Sequence, residues 1–193
     1  MLNEQKTPEA QDNASLDLNE GINRATRLVQ QLLTLARLDP DASKKPMSTI
    51  HLDALIASIR DDMAPIAEQK DIIITASASP AQIDGMEDAI RLMITNLTDN
   101  AIRYTDAGGT VRVFAGQEGH HPCYFVEDNG IGIPKNEQRR IFERFYRVDK
   151  SHSRQTGGTG LGLSIVKHGA ALHKAKINLD SEPGKGTKME LMF

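Results

Sequence analysis

The chain has 193 residues and a formal net charge of −3, with 39% hydrophobic and 25% charged residues. This length allows one packed domain with a short appendage, and the composition is typical of a globular protein. The slightly acidic balance excludes the basic surface that nucleic-acid binding usually needs, and the single Cys123 excludes an internal disulfide framework. No apolar run approaches the ~20 residues that span a bilayer, so we expect no membrane contact and a cytoplasmic location.

The first 45 residues are predicted to be separate from a domain at residues 46–193. Residues 1–14 are polar and without hydrophobic period, which predicts a disordered lead-in. A seam of apolar residues at alternating spacings of four and three then predicts one amphipathic helix, which begins at Ser15 and ends at Asp39. The seam consists of Leu18, Ile22, Ala25, Val29, Leu32 and Ala36. This stripe packs either on the domain's own core or on a helix outside it. Residues 40–46 are typical of a linker.

The rest of the chain alternates between strand and helix patterns. Strands are predicted at residues 47–52, 72–76, 110–115, 124–127, 176–179 and 188–192, and helices at residues 53–70, 84–104, 135–147 and 161–172. Pro65 lies inside the first of these helices and is expected to kink or restart it. Strands meet mostly through hairpins, and helices interrupt them in groups. We therefore predict an α/β fold, a two-layer α/β sandwich with a mixed sheet, preceded by the amphipathic helix.

The segment NLTDNAIRY places two amides and a cation on one stripe of a helix. Asn96, Asn100 and Arg103 stand at i, i+4 and i+7. Three such residues can form an ordinary solvated face. An amide oxygen is also a suitable hard ligand for magnesium, and a guanidinium suits a phosphate. Asp99 is expected to point to a different face.

Three glycine-containing segments follow at wide spacing. EDNGIGIP is typical of a turn, but its Asp128 could also accept a hydrogen bond from a purine amino group while Gly130 and Gly132 let the ring approach. GGTGLGL opens a helix and could present free backbone N–H groups to an anion. PGKGT is explained by a hairpin turn alone. Each of these signals is weak when taken by itself.

Together with FERFYR at residues 142–147, the segments resemble the N, G1, F, G2 and G3 boxes of the histidine kinase ATP-binding domain. The resemblance covers residues 46–193 and is specific, because five short motifs agree in order. It implies the Bergerat α/β sandwich that gyrase and MutL share, with ATP and Mg²⁺ as cofactors.

The same resemblance implies a role for each matching residue. Asn100 would be the main magnesium ligand, with Asn96 beside it, and Arg103 and Tyr104 would face the phosphates and the nucleotide. Asp128 would select adenine, and the residues expected to shape its pocket are Gly130, Gly132, Ile133 and Thr187. The phosphate-side loop would comprise Gly158, Thr159, Gly160, Leu161 and Gly162.

Two further regions of the domain bear on this resemblance. Residues 135–157 would form an ATP lid that is mobile without nucleotide, and its candidate phosphate contacts are Arg147, Lys150 and Arg154. LHKAKINL departs from the family where relatives often have Leu-His-Gly-Gly. Lys174 and Ala175 replace turn glycines, which puts that turn's geometry in question.

Position 96 separates the activities that this fold supports. ATPases of the fold resemble one another in placing a Glu there as general base for water. The amide of Asn96 cannot take a proton at neutral pH, which favours a histidine kinase over an ATPase. A regulatory module that binds nucleotide without phosphotransfer is the alternative.

The histidine that such a kinase phosphorylates is not found. Residues 15–39 resemble the second helix of a dimerisation and phosphotransfer hairpin, and their wording is most similar to that of the QseC-like sensors. This resemblance implies that the parent protein forms a homodimer through this helix. None of the six histidines has the acceptor context (His51, His120, His121, His152, His168 and His173). We therefore expect a truncated fragment with no catalytic acceptor or base of its own. Its parent would lie in the bacterial inner membrane, with a response-regulator receiver domain as partner.

Overall fold

The computed structural model describes residues 47–148 and 158–193, together with Gly21, Ile22, Thr26 and Val29. Those four positions are helical, and the side chains of Ile22 and Val29 are each 55% exposed. Apart from them, the following predicted regions lie outside the described residues: the lead-in at 1–14, the helix at 15–39, the linker at 40–46 and positions 149–157 of the lid.

Seven strands, three α-helices and one 3-10 helix make up the described part of the domain. In chain order they are β1 (Ser48–His51), α1 (Leu52–Gln69), β2 (Ile73–Ala78), β3 (Gln82–Gly85), α2 (Glu87–Tyr104), β4 (Thr110–Glu118), β5 (His121–Asp128), the 3-10 helix (Arg140–Phe142), α3 (Gly162–Leu172), β6 (Lys176–Glu182) and β7 (Gly186–Met192). Within these elements, no helix is both long and apolar enough to cross a membrane.

The main sheet has five strands in the order β2-β4-β5-β7-β6, and β1 pairs separately with β3. β2 runs parallel to β4, whereas the other neighbouring pairs are antiparallel, so the sheet is mixed. Along β4, Val111, Val113 and Ala115 are buried while the intervening side chains are more exposed. This alternation turns one face of the sheet toward the helices. The predicted two-layer α/β sandwich with a mixed sheet is confirmed.

Helix α2 lies at the centre of the core. Its buried residues recur at helical spacing and include Ile90, Met93, Ile94 and Leu97, each no more than 1% exposed. Full burial of one such side chain contributes about 1.5–3 kcal/mol of hydrophobic free energy. The apolar face therefore holds α2 against the sheet, and an adjacent stripe carries Asn96, Asn100 and Arg103.

The helix predicted at residues 135–147 is wrong. Turns occupy most of this segment, and only the 3-10 helix is regular. Phe145 has a left-handed φ of 63°, and its N–H donates to the carbonyl oxygen of Gly160 at 2.9 Å rather than to a residue one turn earlier. Short local turns and this one distant bond thus take the place of a continuous helix.

Other local predictions need smaller corrections. The helix predicted from residue 84 begins at Glu87, because residues 82–85 form β3 and pair with β1. Helix α1 is continuous through Pro65, so it does not restart there. At the end of α3 the chain makes a tight turn in which Lys174 takes a φ of 55° and the Ala175 N–H donates to the Ala170 carbonyl at 2.9 Å. Lys174 thus adopts the left-handed conformation that glycine favours at the end of a helix.

His173 joins α3 to the start of α2. Its Nε2 accepts the N–H of Met86 at 3.0 Å, which leaves Nδ1 to donate to the Gly169 carbonyl at 2.8 Å. A Cβ atom at Gly85 would lie 2.8 Å from this ring, so the packing there is close. The ring of His173 therefore serves to hold two helices together.

Candidate functional site

A cavity of about 370 Å³ opens between α2, the ends of β5 and β7, and the loop before α3. All of the predicted site residues line it except Gly130 and Leu161. Those that do are Asn96, Asn100, Arg103, Tyr104, Asp128, Gly132, Ile133, Gly158, Thr159, Gly160, Gly162 and Thr187. The fold therefore brings four distant sequence segments to one concave surface.

The two asparagines on α2 face the first turn of α3. Asn96 is only 8% exposed, and its Nδ2 donates to the Leu92 carbonyl at 2.8 Å. This bond leaves Oδ1 pointing toward Gly162, where a Cβ atom would lie 2.8 Å from Oδ1 and 3.8 Å from Asn100 Nδ2. A side chain at position 162 would fill this space. Amide oxygens beside a helix N-terminus are suitable ligands for a hard cation and its anionic partner.

Asp99 lies on the cavity wall, contrary to the prediction that it points elsewhere. Its Oδ2 accepts a hydrogen bond from Arg103 Nη2 at 2.8 Å, and the Arg103 side chain is only 15% exposed. The two residues are one helical turn apart, so their side chains lie on the same face of α2 and can pair. Arg103 consequently presents a positioned positive charge at this end of the cavity.

The end of α2 is held by Lys70, which sequence reasoning missed. Its Nζ donates to the carbonyl oxygens of Ile102 and Arg103, both at 2.9 Å. Burial lowers the pKa of the Lys70 amine, and the nearby Arg103 charge lowers it further. A lysine that binds the last carbonyls of a helix stabilises that end, so Lys70 steadies the turn carrying Arg103 and Tyr104.

Asp128 ends β5 and faces the opposite part of the cavity. The N–H of Gly130 donates to its Oδ1 at 2.9 Å, and the N–H of Thr187 also donates to the carboxylate. Burial raises the pKa of Asp128 above its ordinary 3.8, while these two backbone bonds oppose the rise. Two donors thus hold the carboxylate in one orientation, with its remaining lone pairs available to a ligand.

Glycines around Asp128 are required by close backbone contacts. A Cβ atom at Gly130 would lie 2.2 Å from the Tyr104 carbonyl oxygen. At Gly132, where φ is 67°, it would lie 1.9 Å from the Glu182 carbonyl oxygen. Gly130 therefore shapes the cavity from behind, by letting the G1 turn approach α2, and does not itself line the wall.

The walls near Asp128 are apolar. Apolar side chains supply most of this surface: Leu97, Ala101, Val126, Ile131, Ile141, Leu163 and Met189. Val126, Ile141 and Met189 lie outside the sequence motifs, and sequence reasoning missed them. Val126 and Met189 are neighbours on β5 and β7. An apolar slot with one fixed carboxylate suits a flat ring that carries an amino group.

The loop before α3 is attached to the segment around Phe145. A Cβ atom at Gly160, where φ is 72°, would lie 2.8 Å from the Phe145 backbone. Arg147 Nη1 donates to the Gly158 carbonyl, so this candidate phosphate contact lies beside the loop. Leu161 is fully buried in a small cluster with Ala89 and Ile165. Leu161 therefore anchors the loop, while its neighbours line the cavity.

Within the described ranges, no group of three or more His, Cys, Asp or Glu side chains is arranged to hold a metal. A cation in this cavity would instead depend on the amide oxygens of Asn96 and Asn100 together with oxygens of its ligand. Magnesium commonly binds in this way, through few protein ligands plus phosphates. The donor set therefore fits a magnesium–nucleotide complex.

A family model described as histidine kinase-, DNA gyrase B-, and HSP90-like ATPase matches residues 85–193. The chain is 38% identical over 179 residues to the phosphate regulon sensor protein PhoR of Pseudomonas aeruginosa, an alignment that covers 91% of this chain and 40% of PhoR. The chain spans about two fifths of the length of the first curated relatives that it matches.

The chain is also similar in fold to solved structures. The chain is similar to full-length ShkA in complex with AMPPNP, with a TM-score of 0.78, 27% identity, and coverage of 97% of this chain and 39% of that one. It is also similar to the cytoplasmic segment of histidine kinase QseC, with a TM-score of 0.60, 28% identity, and coverage of 89% and 93%.

Proposed function

The chain belongs to the histidine kinase-, DNA gyrase B-, and HSP90-like ATPase family, and from this premise we propose that its cavity binds ATP with magnesium and donates the γ-phosphate to a protein histidine. ATP binding is what membership of this family implies. The observation that carries the proposal is that one cavity holds a fixed carboxylate, Asp128, at one end and two amides with a cation at the other.

The two ends of the cavity have different tasks in this proposal. Asp128 accepts a hydrogen bond from the adenine amino group, and the apolar walls exclude water from the ring. Asn96 and Asn100 hold the magnesium ion, which neutralises phosphate charge when bound. Arg103 and the N–H groups at the start of α3 bind the phosphates. Phosphoryl transfer depends mainly on positioning and charge stabilisation, so these residues supply most of the protein's contribution to the reaction.

The phosphate acceptor is proposed to lie on the first helix of the phosphotransfer hairpin whose second helix residues 15–39 resemble. The 55% exposure of Ile22 and Val29 favours a seam that contacts a helix outside this domain, as in a homodimer of hairpins. The parent would be a sensor kinase of the bacterial inner membrane that passes the phosphate to a response-regulator aspartate. We also propose that the ATP-binding domain begins at residue 46, and that the cavity residues have the individual roles given above.

The transfer is tested by incubating the chain with γ-labelled ATP, alone and with a histidine-bearing hairpin from a sensor kinase as a separate polypeptide. We expect no label on the chain itself and slow labelling of the hairpin, because the tether that raises effective concentration is absent. Asn100→Ala should abolish the labelling. Acid-labile phosphate on the chain alone would contradict the missing acceptor. ATP binding without any transfer would favour the regulatory module.

An ATPase activity is the second candidate, because Asp99 lies on the cavity wall and is a carboxylate near the magnesium amides. Its Oδ2 already accepts a hydrogen bond from Arg103 Nη2 at 2.8 Å, so that oxygen is occupied and poorly placed to take a proton from water. We therefore expect hydrolysis far below the enzymic median of ~10 per second. A turnover near that value, lost in both Asn100→Ala and Asp99→Asn, would establish an ATPase and contradict the kinase proposal.

A further inference from the structure

The hydroxyl of Ser181, on β6, lies where three segments around Asp128 meet. The N–H of Ile133 donates to its Oγ at 2.8 Å, and Ser181 Oγ donates to the Gly186 carbonyl at 2.9 Å. Its Oγ also lies 2.9 Å from Thr187 Oγ1. Ile133 is 48 residues from Ser181 in the chain, so no local pattern marks this contact.

These contacts determine which hydroxyl donates to which. A serine hydroxyl has one proton and two lone pairs. A carbonyl oxygen cannot donate, so the Ser181 proton goes to Gly186, and one lone pair accepts the Ile133 N–H. The other lone pair then faces Thr187, whose hydroxyl must donate to it. The opposite arrangement would leave the Gly186 carbonyl 2.9 Å from a lone pair, which is repulsive.

Thr187 therefore has no proton left for a ligand. It lines the cavity directly beside Asp128, its partner in the β5–β7 ladder. The ionised carboxylate of Asp128 also only accepts. Both groups at this end of the cavity thus present lone pairs, which suits a purine with an amino group at position 6. A 6-oxo purine would place its own acceptor against them.

We propose that Ser181 is a positioning residue that fixes the hydrogen-bond polarity of Thr187 and so sharpens selection of 6-amino over 6-oxo purine nucleotides. The inference rests on the proposed nucleotide site and assigns a task to a residue that does not line the cavity. Removing the Ser181 hydroxyl frees the Thr187 proton, and Thr187 can then rotate and donate to a 6-oxo group.

Gln138 provides a matched control for loosening of the same region. Its Nε2 donates to the carbonyl oxygens of Ile133 and Ser181, at 3.0 and 2.8 Å. It thus holds the same two residues through their backbones without contacting a hydroxyl. Gln138→Ala should weaken binding of both nucleotide types to the same extent and leave their ratio unchanged.

The test is calorimetry with ADP and IDP, whose purines differ at position 6 and in the proton on N1. Ser181→Ala should lower the ADP-over-IDP affinity ratio by about tenfold, which corresponds to about 1.4 kcal/mol. Ser181→Thr, which keeps a hydroxyl, should retain the ratio. Thr187→Val should lower the ratio by itself, and adding Ser181→Ala to it should change nothing further, because the group on which Ser181 acts is gone.

Three results would overturn the inference in distinguishable ways. If Ser181→Ala weakens ADP and IDP equally, as Gln138→Ala should, Ser181 only holds the fold and the inference alone fails. If the unchanged chain binds neither nucleotide, the proposed function fails and the inference fails with it. A Ser181→Ala effect of full size in the Thr187→Val background would likewise exclude action through Thr187.

Discussion

Replacing Asp128 with Asn is expected to weaken ADP binding by one to two orders of magnitude while it stabilises the empty protein at neutral pH. A hydrogen bond to a charged group contributes about 1.5–3 kcal/mol, which accounts for the loss of affinity. Stability should rise because burial raises the pKa of Asp128, so the ionised carboxylate is held at a cost in the folded state. Calorimetry and urea unfolding at pH 7 measure the two effects.

The pH dependence follows from the direction of the pKa shift. Asp128 binds a proton more tightly in the folded protein than in the unfolded chain. The destabilisation that its buried charge causes therefore decreases as pH falls through the raised pKa toward 3.8. The unchanged protein should therefore gain stability relative to Asp128→Asn over that window. ADP binding should decline over the same window, because a protonated carboxyl loses its charge, and one of its oxygens becomes a donor instead of an acceptor.

The matched control for Asp128→Asn is Glu127→Gln. The adjacent carboxylate undergoes the same change of charge, but it pairs with Arg112 and does not line the cavity. We expect unchanged ADP affinity and a stability change of about 0–1 kcal/mol, as is usual for exposed ion pairs. Equal loss of affinity in both variants would mean that net charge, and not the hydrogen bond of Asp128, governs binding.

Replacing Gly132 with Ala should cost on the order of 4 kcal/mol of unfolding free energy and remove measurable ADP binding. The left-handed φ of 67° accounts for about 1–2 kcal/mol, and overpacking adds about 1–3 kcal/mol more. The overpacking arises because the new Cβ would lie 1.9 Å from the Glu182 carbonyl oxygen, and this part of the backbone also forms the cavity wall.

Gly119→Ala separates these two contributions. Gly119 has a similar φ of 63°, but nothing lies within 4 Å of its Cβ position, which is in the β4–β5 turn. It should lose about 1–2 kcal/mol from backbone strain and keep full ADP affinity. Urea midpoints at constant slope give the comparison. Equal destabilisation of the two variants would show that the Glu182 contact relaxes freely.

Sequence patterns determined the architecture, because each pattern has a direct local cause. The apolar period of α2 specifies a buried face, and alternation along β4 specifies a sheet with one covered side. The five ordered motifs identified the histidine kinase type of domain, and the similarity to PhoR and to histidine kinase structures confirms that resemblance. Glycine at positions 130 and 132 was predicted to let a purine ring approach, whereas the structure requires glycine there because of close contacts with the Tyr104 and Glu182 backbone.

Only the tertiary structure decided how the cavity is held in shape. Residues 135–147, where local period favours a helix, form turns, and Gln138 and Phe145 bond from them to β6 and to the Gly160 loop. Asp99 lies on the cavity wall, where it pairs with Arg103. Lys70 binds the carbonyl of Ile102, 32 residues away in the chain. Ser181 binds the N–H of Ile133, 48 residues away, and contacts Thr187 on the neighbouring strand. Periodicity records which side of an element is buried, but a hydrogen bond between distant segments leaves no periodic trace, so its partners are known only once the chain is folded.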